Sequence, residues 1–171
     1  LAGGASLAFV AGIINATGFL GVQHEGLTHL TGTTTLLGIA IGNHDPGRVV
    51  HFAALIVAFM AGCVLSGMII QDSTLRLGRR YGVVLALEAL LLVLAVPLLT
   101  GNNFLGDCLA SAACGLQNAM VSTYSGAVLR TTHFSGTLTD LGIFLGHRLR
   151  GLPVDTRRIR LLLALVTAFL M

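Results

Sequence analysis

Hydrophobic residues run along this chain in long unbroken blocks, with polar residues gathered between them. Four blocks, residues 5–22, 49–70, 82–99 and 104–121, are each near the ~20 residues that a helix needs to cross a bilayer core. A fifth starts at Leu161 and is still running at Met171. Two shorter apolar runs, residues 33–42 and 137–146, fall short of a full span. Each follows a polar, glycine-containing stretch, His29-Leu30-Thr31-Gly32 or His133-Phe134-Ser135-Gly136. Thr31 and Ser135 are the expected N-caps, and both runs predict half-helices, either re-entrant or part of a broken helix.

The two short runs belong to a larger repetition. Gly12-Ile13-Ile14-Asn15-Ala16 returns as Gly115-Leu116-Gln117-Asn118-Ala119 at an offset of 103 residues. The segment from His29 to Gly42 returns from His133 to Gly146 at an offset of 104. In so apolar a chain this predicts an all-α, polytopic membrane protein with an internal repeat. Residues 1–100 would form the first copy and residues 104–171 a truncated second copy, within a single membrane domain. The chain opens without Met and ends inside an apolar run, so a fragment lacking its C-terminal helices is expected.

Composition strengthens the membrane reading. Charged residues make up 10% of the 171, against roughly a quarter in soluble domains, and mean hydropathy is +0.87. All ten basic residues are Arg, and most sit in two loops. That is a topology signal rather than a nucleic-acid patch. Arg76, Arg79 and Arg80 lie in one loop, and Arg148, Arg150, Arg157, Arg158 and Arg160 in the other. The positive-inside rule puts both in the cytoplasm, and a half-helix at 137–146 that does not span keeps the second loop there. The matching loop of the first copy, around His44 to His51, carries only Arg48 and would lie outside. Opposite charge bias on matching elements points to an inverted repeat. The competing arrangement is a parallel repeat of four spanning elements each.

Candidate chemistry follows from this frame. A half-helix N-terminus offers free N–H groups and partial positive charge. Thr31, Gly32, Thr33, Thr34 and Thr35, and likewise Ser135, Gly136, Thr137 and Thr139, would let an anionic or carboxylate-bearing solute approach such an end. The same residues would equally serve close helix packing. Asn15 and Asn118 sit mid-helix, where an amide requires a partner, either the neighbouring half-helix backbone or a ligand. Gln117 has no counterpart in the first copy, where Ile14 stands, and is a candidate one-sided contact. His29 and His133 precede the half-helices and would contact an anion, gate protons or bond loop backbone. Glu88 and Asp140 are intramembrane carboxylates and candidates for ion coupling, and Glu88 equally for a helix–helix hydrogen bond. Glu88 has Arg79 and Arg80 as an alternative partner, and Asp140 has the N-terminus of its own half-helix. Arg130 would pair with either carboxylate, bind an anion or snorkel to the interface. Cys63, Cys108 and Cys114 show no ligand spacing and are expected as small core residues, so neither metal nor cofactor is expected. Small-residue faces such as Gly62/Ser66 permit self-association as well as packing within one chain. No nucleophile, metal or phosphate-loop motif appears, so an enzyme is not expected.

The segments Ala11-Gly12-Ile13-Ile14-Asn15-Ala16-Thr17-Gly18-Phe19 and His29-Leu30-Thr31-Gly32-Thr33-Thr34 carry a family resemblance. So do Gly115-Leu116-Gln117-Asn118-Ala119, the run from Arg130 to Gly142, and Leu87-Glu88-Ala89-Leu90. Together they resemble the YoaK-like family of bacterial multi-pass membrane proteins, the domain of unknown function 1275. The resemblance implies an all-helical protein of the bacterial inner membrane and implies no activity. The family pattern has Asp where Asn15 stands and Asn where Thr34 stands, so a required charge or amide in the first copy is not implied. The function expected is a secondary transporter or permease for a small, anionic or amphoteric solute. The alternative is a membrane scaffold or assembly protein that transports nothing.

Overall fold

The computed structural model describes residues 2–20, 30–70, 78–124 and 133–170. Their regular structure is entirely helical: α1 (Ala2–Leu20), α2 (Leu30–Gly42), α3 (Pro46–Ile69), α4 (Arg79–Thr100), α5 (Phe104–Tyr124), α6 (Phe134–Leu149) and α7 (Thr156–Leu170). The chain forms two compact units, Ile14–Arg130 and Leu1–Ile13 with Thr131–Met171.

In the unit Ile14–Arg130, α5 is the central element. It runs parallel to α3: His51 meets Phe104 at 5.1 Å between ring centroids, Ser111 Oγ donates to the Leu55 carbonyl at 2.9 Å, and Cys63 Sγ donates to the Gly115 carbonyl at 3.3 Å. Helix α4 runs antiparallel to α5. The short turn Gly101–Asn103 joins them, and Tyr81 and Tyr124 close the far end at 5.8 Å. Asn102 takes a φ of +50° in that turn, and Asn103 Oδ1 accepts from Leu105 N at 2.9 Å, capping α5. The α3–α5 approach depends on two glycines. A Cβ on Gly62 would collide with the Ala112 carbonyl, and one on Gly115 with the Phe59 carbonyl. Small residues at the crossing bring the backbones close enough for dispersion and hydroxyl or thiol bonds to hold the pair. Gly62 and the buried Ser66 are therefore used within the chain.

The start of α3 lies three residues ahead of its apolar run. Asp45 Oδ1 accepts from Arg48 N at 3.1 Å, and Pro46 takes the first helical position, where its missing N–H costs nothing. Helices α3 and α4 are long and apolar enough to cross a membrane by length and composition. Their outward residues, including Val57, Met60, Val64 and Met68 on α3 and Val83, Leu90, Val93 and Val96 on α4, are bare. So large an apolar exterior requires an apolar surrounding. Helix α5, with 21 residues, is nearly as long but more polar, and its Ser111 and Gln117 are buried.

In the other unit, α6 and α7 form a hairpin. Gly151 takes a φ of +70°, its N–H bonds the Arg148 carbonyl at 3.1 Å, and Leu152 N bonds the His147 carbonyl at 2.9 Å. This is a Schellman closure of α6. Asp155 Oδ1 then accepts from Arg157 N at 2.9 Å and Arg158 N at 3.2 Å and starts α7. Gly12 lies against the Phe169 backbone, where a Cβ would not fit.

The two short helices begin earlier than their apolar runs suggest. With 13 and 16 residues they are about 20 and 24 Å long at ~1.5 Å per residue, still short of a ~30 Å core. Thr31 and Ser135 are therefore first-turn residues rather than caps, and the N-cap of α6 is His133. The helix extends because hydroxyls one turn on are satisfied along it: Thr35 Oγ1 donates to the Thr31 carbonyl and Thr139 Oγ1 to the Ser135 carbonyl, both at 2.9 Å.

Candidate functional site

The most distinctive chemistry lies between α4 and α5. Gln117 Nε2 donates to Glu88 Oε1 at 2.8 Å, with both residues buried, at 1% and 3% exposure. Glu88 stands twelve residues before the end of α4, and Gln117 thirteen after the start of α5. At ~1.5 Å per residue this puts the pair about 18 Å along the helices from the turn, more than half the length of a ~30 Å span. Glu88 Oε2 has no hydrogen-bond partner among the described residues. Ser66 Oγ and Asn118 Oδ1 are likewise buried without one. Cys114, one turn before Gln117 on the same helix, is fully buried. Polar groups left incomplete in an apolar core are costly, so a carboxylate there carries a standing demand for a proton, a donor or a cation.

Glu88 turns to Gln117 and not to the Arg79–Arg80 end of its helix, because α5 packs along the α4 face that carries it. Both residues stand out in the sequence as polar groups in apolar runs, but their pairing does not. The signal was available: a hairpin with a short turn sets residues at equal distance from the turn side by side.

The half-helix residues are arranged differently. On α2, Thr31, Gly32, Thr34 and Thr35 are exposed and Thr33 is buried. Thr34 Oγ1 donates to the Leu30 carbonyl at 2.8 Å. On α6, Thr137 Oγ1 donates to the His133 carbonyl at 3.1 Å. These hydroxyls bond back to their own helices. The exposed His133 folds its ring over the first turn, in the space that a side chain on Gly136 would occupy. The His-Phe-Ser-Gly pattern thus has a local steric basis. Ser135 is exposed and Asn15 half-buried, while His29 and Arg130 lie outside the described residues.

Asp140 is in the second turn of α6, past the first-turn position that would stabilise the helix N-terminus. Arg158 of α7 donates to it through Nη2 at 3.2 Å and also covers the Phe144 ring at 5.5 Å. Sequence alone does not single out Arg158, since the pairing arises only once α6 and α7 fold back on each other.

Long helices with bare apolar flanks and a carboxylate–amide pair hidden among them define a helical membrane protein. The chain belongs to the family described as "Protein of unknown function (DUF1275)", whose model matches residues 3–171. It is similar to the UPF0700 transmembrane protein YoaK of Bacillus subtilis (strain 168), with 26% identity over 140 residues. The match covers 79% of this chain and 62% of that protein, so the chain spans less than two thirds of its relative's length. No solved structure matches it.

Proposed function

We propose that the protein is a multi-pass permease of the bacterial inner membrane for a small solute, with Glu88 as its coupling carboxylate. The observation behind this reading is Glu88 itself: buried at 3% exposure on a spanning-length helix, held through one oxygen by Gln117, with the other oxygen open. A carboxylate in such a place is a functional group by default. Oε2 is the atom that would take the proton, and Gln117 would hold the side chain in position while it does so. The internal repetition and the uneven arginine loops support an inverted-repeat topology of the kind transporters use. A circular-dichroism melting screen tests the solute. A panel of small carboxylates, phosphate and amino acids should contain a compound that raises the melting temperature of the wild type. Glu88→Gln should shift that response.

A second reading is favoured by the hydroxyls of α2 and α6. Thr34, Thr35, Thr137 and Thr139 are bonded to their own backbones, as in a motif built for packing. On that reading the protein is a membrane scaffold. It predicts no stabilisation by any solute and a stable protein partner on affinity purification.

A further inference from the structure

From the α6–α7 turn we infer a binding site for the phosphate of anionic phospholipids, formed by Arg148, Arg150, Arg157 and Arg160. All four side chains are exposed, and none has a hydrogen-bond or ion-pair partner among the described residues. The carboxylates nearby are committed elsewhere. Asp155 accepts the backbone N–H groups of Arg157 and Arg158, and Asp140 holds Arg158. Among the described residues, the four remaining guanidinium groups therefore have no carboxylate bound to them.

Their setting is rigid and amphipathic. The Schellman closure at Gly151 and the Asp155 cap fix both ends of the turn. Leu149 at the end of α6 is 80% exposed, and Leu152 in the turn is 48% exposed. A soluble anion has no use for two bare leucines beside the arginines. A phospholipid does, because its phosphate takes the planar guanidinium forks while its glycerol and upper acyl region cover the leucines. The arginines near the head of α7 act through their side chains, since Asp155 already occupies the N–H groups of that helix end. The site rests on the membrane reading alone and stands whether or not a solute crosses.

The test is native mass spectrometry of the purified full chain in nonionic detergent, with phosphatidylglycerol or phosphatidylcholine added. Phosphatidylglycerol should be retained in clear preference. The variant R148Q/R150Q/R157Q/R160Q should lose that preference, with about a fivefold loss of affinity for each arginine removed. R79Q/R80Q should keep it. Equal retention of the two lipids by the wild type would overturn the site. So would an unchanged preference in the fourfold variant, or a loss in R79Q/R80Q instead. If the fourfold variant loses its helical circular dichroism, competition on the wild type decides. Millimolar glycerol phosphate should leave bound phosphatidylglycerol in place, and its displacement would mean a soluble-anion site and overturn the proposal.

Discussion

Gln117 Nε2 donates to Glu88 Oε1 at 2.8 Å, at matching depth on either side of the α4–α5 turn. The bond joins two buried polar groups, so each depends on the other. Gln117→Leu strands the carboxyl and should destabilise the protein by about 1–3 kcal/mol in detergent unfolding. Glu88→Gln keeps an amide opposite an amide and should cost less. The double variant Glu88→Leu/Gln117→Leu removes both groups and should be less damaging than the sum of the single leucine variants. The difference, roughly 0.5–3 kcal/mol, measures the pair. Additive losses would mean that the bond contributes nothing to the fold.

The α3–α5 contact makes a sharper steric prediction. Gly62→Ala and Gly115→Ala each put a methyl group into a facing backbone carbonyl and should destabilise by about 1–3 kcal/mol. Gly67 is on the same α3 helix with open space around it, so Gly67→Ala should be neutral or stabilising by up to about 1 kcal/mol. Thermal unfolding of the three variants side by side checks this. Equal effects at Gly62 and Gly67 would contradict the close crossing.

The Asp140–Arg158 pair is expected to matter little for stability. Both side chains are more than a third exposed, at 37% and 40%, and such pairs contribute about 0–1 kcal/mol. Asp140→Asn should therefore unfold within about 1 kcal/mol of the wild type at moderate salt. A larger loss would assign the pair a structural role that its exposure does not support.

Much of this was legible in the sequence, and the reasons for the rest are local. Four apolar runs mark the long helices α1, α3, α4 and α5, each near the ~20 residues that a bilayer core requires. Hydropathy does not mark a start that capping decides, as with Asp45 before α3 and Pro46 at its first position. The half-helices were visible as short runs. Their first turns were not, because Thr31 and Ser135 look like caps until hydroxyls at Thr35 and Thr139 are seen to bond back to them. Glu88, Gln117 and Asp140 stood out as polar residues in apolar surroundings. Their partners depend on which helices fold together, and a single helix's pattern does not carry that.

The arginine distribution predicts sidedness. In a background with Cys63, Cys108 and Cys114 replaced by Ala, single cysteines at the exposed positions Asn43 and Thr156 leave the Asp45 and Asp155 caps intact. A membrane-impermeant thiol reagent applied to intact cells should label Asn43→Cys and spare Thr156→Cys. Labelling of both, or of neither, would favour the parallel repeat.

The central claim concerns the open oxygen of Glu88, and proton movement tests it most directly. Wild-type protein and Glu88→Gln are reconstituted into vesicles loaded with a pH-sensitive dye, and small carboxylates, phosphate and amino acids are added outside in turn. The account predicts solute-dependent proton entry for at least one compound with the wild type, and its loss in Glu88→Gln at equal reconstitution and helical content. No solute-dependent proton entry across the panel, or equal entry with both proteins, would contradict it.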